Sequence, residues 1–317
     1  MGTSGTSMAI RHLEKMRSYI EELKKRRRAV ILAHNYQLPE VQELADYVGD
    51  SLELARKALK CDADVIVLAG VSFMAEMAAV LNPDKVVLHP NPSAGCPLAD
   101  FLTPETARKF KANIPYAPLV VYVNSTAATK ALADYVVTSA SAVKLVSKLE
   151  DETVVFGPDK NLADYVSEVT GKHVIAAPPY GHCPVHEHLL SRYYVSKALE
   201  QNPGAKLIAH PETPRSVRKM AHSIGSTSQM IKQIKSFGKK VLLATEEGLV
   251  YRARKMYPER AGDILPANPL AVCIDMKKIT LEHIARSLEL LKHRVVLDSS
   301  VAKKVREVIE RSLEIVK

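Results

Sequence analysis

The chain has 317 residues, 47 % hydrophobic and 25 % charged, with a formal net charge of +9. That composition belongs to a soluble globular protein with room for two or three small domains, and it excludes disordered and fibrous classes. No apolar run reaches the ~18 residues of a membrane helix, and no secretory leader follows the start, so a cytoplasmic location is expected.

The first seven residues are polar and of low complexity and are set aside. Residues 8–27 read as a helix with Ile10, Leu13, Met16 and Ile20 on one face. A first unit follows: strand 29–34, helices 40–48 and 51–60, strand 64–70, helix 73–81 and strand 85–89. The second unit reads as strand 118–123, helix 126–133, strand 135–138, helix 140–149, strand 153–156, helix 159–169 and strand 173–176. The third reads as strand 205–209, helices 213–222 and 226–236, strand 240–244, helix 246–255 and strand 262–265. Two closing helices, joined near Asp298, are expected in 280–317. Strands separated by helices of this length predict an α/β fold with parallel sheets covered on both faces. The expectation is three pseudo-symmetric three-layer α/β/α domains, 8–112, 113–199 and 200–279, around a central cluster site. Residues 280–317 would pack on that core.

Three of the four cysteines mark the repeat. Cys96, Cys183 and Cys273 are 87 and 90 residues apart, and lie 62, 59 and 63 residues beyond the polar strand tips at His34, Asn124 and His210. One thiol per unit, each beyond the carboxyl ends of parallel strands, suggests one shared site. Three thiolates suit an iron–sulfur cluster with one iron left open, which can act as a Lewis acid. The competing reading is three unrelated buried thiols. Cys61 has no counterpart in the other units and reads as a small buried hydrophobe. Disulfides are not expected in a reducing compartment.

Three helix starts repeat as well. Ser51, Ser139 and Ser226, with Thr227, fall 17, 15 and 16 residues after His34, Asn124 and His210. Each alone is an ordinary N-cap. Three in register suggest an anion site for several carboxylates or a phosphate. His34, Tyr36, His186, His210 and Glu212 are candidate acid–base or carboxylate-binding groups.

The basic run Lys24-Lys25-Arg26-Arg27-Arg28 closes the first helix, where cations oppose the helix dipole, and reads as a solvated face. With 5 % aromatics and no Trp, no stacking surface for nucleic acid is visible. The positive field would instead draw small anionic substrates.

The motifs His34-Asn35-Tyr36-Gln37, Gly49-Asp50-Ser51, Tyr122-Val123-Asn124-Ser125, Thr138-Ser139-Ala140 and Phe156-Gly157-Pro158-Asp159 occur in that order. Gly181-His182-Cys183 with His186, His210-Pro211-Glu212, Gly225-Ser226-Thr227 and Cys273 followed by Met276-Lys277 complete the series. In these the chain, from about residue 8, resembles the quinolinate synthase family. The resemblance implies a [4Fe–4S] cluster held by Cys96, Cys183 and Cys273 with one open iron. It implies condensation of iminoaspartate with dihydroxyacetone phosphate to quinolinate, phosphate and water in NAD biosynthesis. Tyr36, His34 and Glu212 would assist proton transfers. Tyr122, Asn124, Ser51, Ser139, His186, His210, Glu212, Ser226 and Thr227, with His34, would hold carboxylates or phosphate. Partners would be the two small substrates, with room for transient contact with the enzyme that supplies iminoaspartate, and neither nucleic acid nor membrane.

One departure stands out: many members carry a cysteine after His-Pro-Glu, and here it is Thr213. Two other readings fit these residues. One is a hydro-lyase with an open-site cluster acting on a different hydroxy acid. The other is a cluster-bearing nucleic-acid or redox sensor, which would need no converging His, Tyr, Glu and Ser set.

Overall fold

A computed structural model describes residues 3–238 and 240–317. These form three parallel four-stranded sheets of identical strand order. The first holds β1 (Ala29–His34), β2 (Tyr47–Gly49), β3 (Val65–Ala69) and β4 (Val86–Leu88) in the order β2-β1-β3-β4. The second holds β5 (Leu119–Tyr122), β6 (Tyr135–Val137), β7 (Thr153–Gly157) and β8 (His173–Ala176) in the order β6-β5-β7-β8. The third holds β9 (Lys206–Ala209), β10 (Ser223–Ile224), β11 (Val241–Ala244) and β12 (Ile264–Pro266) in the order β10-β9-β11-β12. In register, Leu32 faces Leu68, Val120 faces Phe156 and Leu207 faces Leu242. The α/β fold expected from the sequence is the one observed.

The repeat extends to single hydrogen bonds. Asp46, Asp134 and His222 each donate their backbone N–H to the carbonyl of Ile31, Leu119 and Leu207, respectively. Each then accepts the backbone N–H of that same residue on its side chain, at 2.8, 2.8 and 3.2 Å. A polar side chain thus closes the entrance of the first strand in every unit. It satisfies a backbone donor that would be costly to bury unpaired.

Two edge strands, β2 and β10, were not expected. The helix foreseen over 40–48 ends at Leu44, because Ala45 turns extended (φ −68°, ψ 140°) and feeds β2. The helix foreseen over 213–222 shrinks to Arg215–Arg218 before β10. Such two- or three-residue edges take their conformation from the neighbouring strand, so local pattern hardly signals them. Helices Pro104–Asn113 and Arg192–Gln201 were likewise not foreseen.

The N-terminal helix runs over Thr3–Arg27, so it includes part of the segment set aside as an extension. Met1 and Gly2, and the Ile10 side chain, lie outside what is described. Burial on this helix is carried by Ile20 and Leu23, while Leu13 is 39 % exposed. The basic run at its end is not a solvated face throughout. Lys24 is buried against Glu21 and Asp46, at 2.9 and 2.8 Å. Arg27 donates to the carbonyls of Leu288 and Glu289 at the end of the helix Leu281–Leu290.

That helix lies beside the N-terminal helix, and Ile284 and Leu288 join Ile20, Leu23, Ile31 and Val67 in one apolar layer. The last helix, Ser299–Val316, covers the second unit, and its Val305 and Val308 enter a core shared by the first two units. Each such fully buried side chain contributes about 1.5–3 kcal/mol. In the third unit the strand alternation is visible directly: Leu207 and Leu242 face one apolar cluster, Ile208 and Leu243 the other.

Candidate active site

A cavity of about 410 Å³ collects the ends of the first strand of each unit. His34 closes β1, Tyr122 closes β5 and His210 follows β9, and all three are on its wall. Loops past the strand ends bring in the three repeated thiols, so Cys96, Cys183 and Cys273 share the same wall. None is in a disulfide. Cys61 is elsewhere, its thiol donating to the Ala58 carbonyl at 3.1 Å beside Lys85.

Buried carboxyl groups fix two of the thiol loops. Asp159, two residues past β7, accepts the backbone N–H of Cys183 at 3.1 Å and of Leu162 at 2.7 Å. Glu246, two residues past β11, accepts the backbone N–H of Cys273 at 2.9 Å and of Gly248 at 2.7 Å. The first unit has Val71 in the matching place, on the cavity wall. Lys277 holds Glu246 at 2.9 Å and donates to the Tyr36 carbonyl at 2.7 Å, tying the third unit to the first.

A hydrogen-bonded relay crosses the cavity floor. Tyr122 Oη donates to Glu212 Oε1 at 2.6 Å. His186 Nδ1 lies 3.0 Å from Glu212 Oε2 and 3.2 Å from Cys183 Sγ. On its other side His186 Nε2 lies 3.1 Å from Thr245 Oγ1, which lies 2.6 Å from Tyr36 Oη. A carboxylate only accepts, so His186 donates from Nδ1, and in the neutral ring Nε2 accepts from Thr245. The Thr245 hydroxyl in turn accepts from Tyr36. The chain Tyr36–Thr245–His186–Glu212 is therefore directionally consistent and draws on all three units.

The charge states fit that direction. Burial acts against ionising Glu212, but the imidazoles of His186 and His210 and the bonds from His186 and Tyr122 reverse this and lower its carboxyl below the ordinary range. Asp159 goes the other way, raised well above the carboxylate range by burial and by the Glu212 charge. Between Asp159 and Glu212, the charge rests on Glu212. Burial and then Glu212 push both Tyr36 and Tyr122 well above the ordinary phenol range, so both remain donors.

His34 and His210 are pushed down to about 3, chiefly by burial. Each accepts on Nδ1 a backbone N–H two residues on, from Tyr36 at 3.2 Å and from Glu212 at 3.4 Å. Both are thus neutral rings with Nε2–H free to donate, an arrangement repeated between the first and third units.

The helix starts divide. Ser51, Asn124, Ser139 and Thr227 line the cavity. Ser226 does not: its Oγ caps the helix Thr227–Gln233 by accepting from Gln229, whose side chain returns to the Ser226 N–H. The first and third starts also clasp one another. Asn35 donates to Thr227 Oγ1 at 3.0 Å, and Ser228 donates to Glu53 at 2.6 Å. The helix in the second unit begins at Ala142, so Thr138 and Ser139 form the loop before it.

Residues 18–314 match the family model described as quinolinate synthetase A protein. A quinolinate synthase of Pyrococcus furiosus is 51 % identical over 302 residues, covering 95 % of this chain and 98 % of that protein. One from Pyrococcus abyssi is 54 % identical over 295 residues, covering 93 % and 97 %. One from Thermotoga maritima is 45 % identical over 297 residues, covering 93 % and 98 %. The chain belongs to the quinolinate synthetase A family. It is an enzyme.

Within that family setting, Thr213 is wholly buried, its hydroxyl donating to the His210 carbonyl at 2.8 Å. It braces the turn that carries Glu212. Three further groups at the site, Thr245, Glu246 and Phe73, are not singled out by the sequence, and Asp159 is read there only as part of a motif, without a role. Asp159 and Glu246 had a readable signal, since both stand two residues past the third strand of their unit. Thr245 had none, because a threonine after an apolar strand is an ordinary helix approach. Cys183 Sγ and ligand atoms of His186 and Glu212 all lie within 4.8 Å of one another, a grouping able to hold a metal ion. Among the described residues no helix is long and apolar enough to cross a membrane.

Proposed function

We propose that the protein is a quinolinate synthase of NAD biosynthesis, condensing iminoaspartate with dihydroxyacetone phosphate to quinolinate with loss of phosphate and water. The observation that carries this reading is the meeting, at one cavity, of three thiols outside any disulfide and a hydrogen-bonded chain of Tyr36, Thr245, His186 and Glu212. Members of its family supply the name of the reaction.

The donor set fits a [4Fe–4S] cluster held by Cys96, Cys183 and Cys273. Burial pushes each thiol up, Cys273 to about 11, so none is a comfortable thiolate alone. Metal charge would compensate all three at once. His186 Nδ1 is committed to Glu212, which favours three thiols over a Cys-His-Glu ion. When bound, the cluster would supply a Lewis-acid iron for a substrate oxygen.

The protein's own groups would do the rest. His34 and His210 would donate Nε2–H to substrate carboxylate or phosphate oxygens. Ser51, Asn124, Ser139 and Thr227 would add hydroxyl and amide contacts around the rim. Tyr36 would pass a proton along Thr245 to His186, with Glu212 holding the imidazole in the required tautomer. Glu212 would also keep Tyr122 oriented as a donor. Enclosure by three units would exclude water and strengthen these dipoles. The small substrates, and an enzyme that hands over iminoaspartate, would be the partners, in the cytoplasm.

The test is to incubate anaerobically prepared protein with dihydroxyacetone phosphate and freshly generated iminoaspartate and to assay quinolinate. Quinolinate appearing with stoichiometric phosphate supports the reading. Its absence with fully iron- and sulfide-loaded protein contradicts it.

A further inference from the structure

Lys130 is only 1 % exposed and ranks among the largest fully buried side chains of the described residues. Its Nζ makes no hydrogen bond there. The charge does not snorkel to water, as lysine usually arranges. It closes the short helix Ala127–Lys130, and its Nζ stands 5.3 Å from the centre of the Phe73 ring. Phe73 is itself on the cavity wall with Cys96. Glu76, the nearby carboxylate, is engaged by the Ala127 N–H at 2.6 Å.

A lone ammonium out of water costs several kcal/mol unless negative charge offsets it. Burial pushes Lys130 down to about 8, and the groups that work against this are Glu76 and then Cys96. The part-buried Lys277, near Cys273, already has Glu246 and Glu247. Lys130 has a face-on aromatic ring and no such pair. Three thiolates around an iron–sulfur core carry net negative charge, and a cation behind Phe73 would offset it.

We propose that Lys130 is a buried counter-cation for the group held at Cys96, Cys183 and Cys273, a positioning residue that sets the electrostatics of that group without touching substrate. This rests on the cluster reading above. Lys130→Met and Lys130→Gln remove the charge at similar length, and Lys130→Arg keeps it. In iron-free protein Lys130→Met should unfold at the wild-type temperature or above, because a desolvated charge has been removed. In reconstituted protein the neutral variants should show a more negative midpoint for one-electron cluster reduction, measured by anaerobic titration. They should also lose iron to a chelator several-fold faster, and Lys130→Arg should behave as wild type in both.

Loaded neutral variants whose midpoint and iron-release rate match wild type overturn the proposal alone. So does an iron-free Lys130→Met protein that is destabilised while its loaded form keeps the wild-type midpoint, since that marks a packing role. A wild-type protein that takes up neither iron nor sulfide overturns the cluster reading with it.

Discussion

His186 Nδ1 stands 3.0 Å from Glu212 Oε2, with both side chains buried. The pair joins the second unit to the third at the point where Cys183 meets the cavity, because the same nitrogen is 3.2 Å from the Cys183 sulfur. Imidazole and carboxylate thereby lock each other in one orientation. A buried charge–hydrogen-bond pair of this kind is costly to break on one side only.

Glu212→Gln keeps the shape and removes the carboxylate charge. Turnover should fall by roughly 10²–10⁴-fold, the scale of lost acid–base assistance. Cluster content should stay intact. Steady-state rates normalised to bound iron provide the check, and unchanged turnover in loaded protein would remove Glu212 from the chemistry.

Thr245→Val is nearly isosteric and deletes the hydroxyl between Tyr36 and His186. The relay is then cut while the cavity keeps its volume. Loss of roughly tenfold in kcat is expected, the size of one hydrogen bond worth about 1–1.5 kcal/mol. Thr245→Ser should restore it. Equal rates for the Val and Ser variants would mean that Tyr36 does not act through Thr245.

Glu43 joins the N-terminal helix to the third unit, pairing with Arg17 at 2.6 Å and Lys255 at 2.8 Å and accepting from Tyr251. Bonds from Lys255, Tyr251 and Arg17 lower its carboxyl from 4.5 to about 2. A depressed carboxyl stabilises the fold above its unfolded value, and that stabilisation is lost as pH falls from about 4.5 toward 2. Glu43→Gln should lower the urea midpoint at pH 7, and the gap to wild type should narrow steadily below pH 4.5. A gap independent of pH would show that the clamp is not electrostatic.

Gly181 is needed for close approach. A Cβ there would sit 2.1 Å from the Pro158 carbonyl oxygen, a backbone atom that cannot swing aside. Gly181→Ala should displace the loop to Cys183 at a cost of about 1–3 kcal/mol. Bound iron should fall together with the unfolding temperature. Wild-type iron content in this variant would show that the loop tolerates the shift.

The sheets were legible because apolar runs such as Val65–Ala69 and Val241–Ala244 are buried on both faces and bounded by polar residues. The thiols were legible because they recur in register. The edges β2 and β10 were not, since pairing with β1 and β9 defines them. Ser226 reads as an anion contact in the sequence, but in the fold its Oγ accepts from Gln229 in a capping box and donates to Asp50 Oδ2 at 3.5 Å, and Ser226 itself is off the cavity wall. Lys130 passed as an ordinary residue of a helix expected over 126–133. Only the fold reveals that the helix stops there and turns the ammonium inward.

By the proposed function, three thiols, one from each unit, hold a cluster in this cavity. Iron and sulfide analysis of anaerobically reconstituted Cys96→Ser, Cys183→Ser, Cys273→Ser and Cys61→Ser tests it most directly. The first three should each lose most of the iron and all quinolinate formation, while Cys61→Ser should match wild type at about four iron and four sulfide per chain. Full iron and sulfide in any of the first three variants, or their loss in Cys61→Ser, would contradict the account.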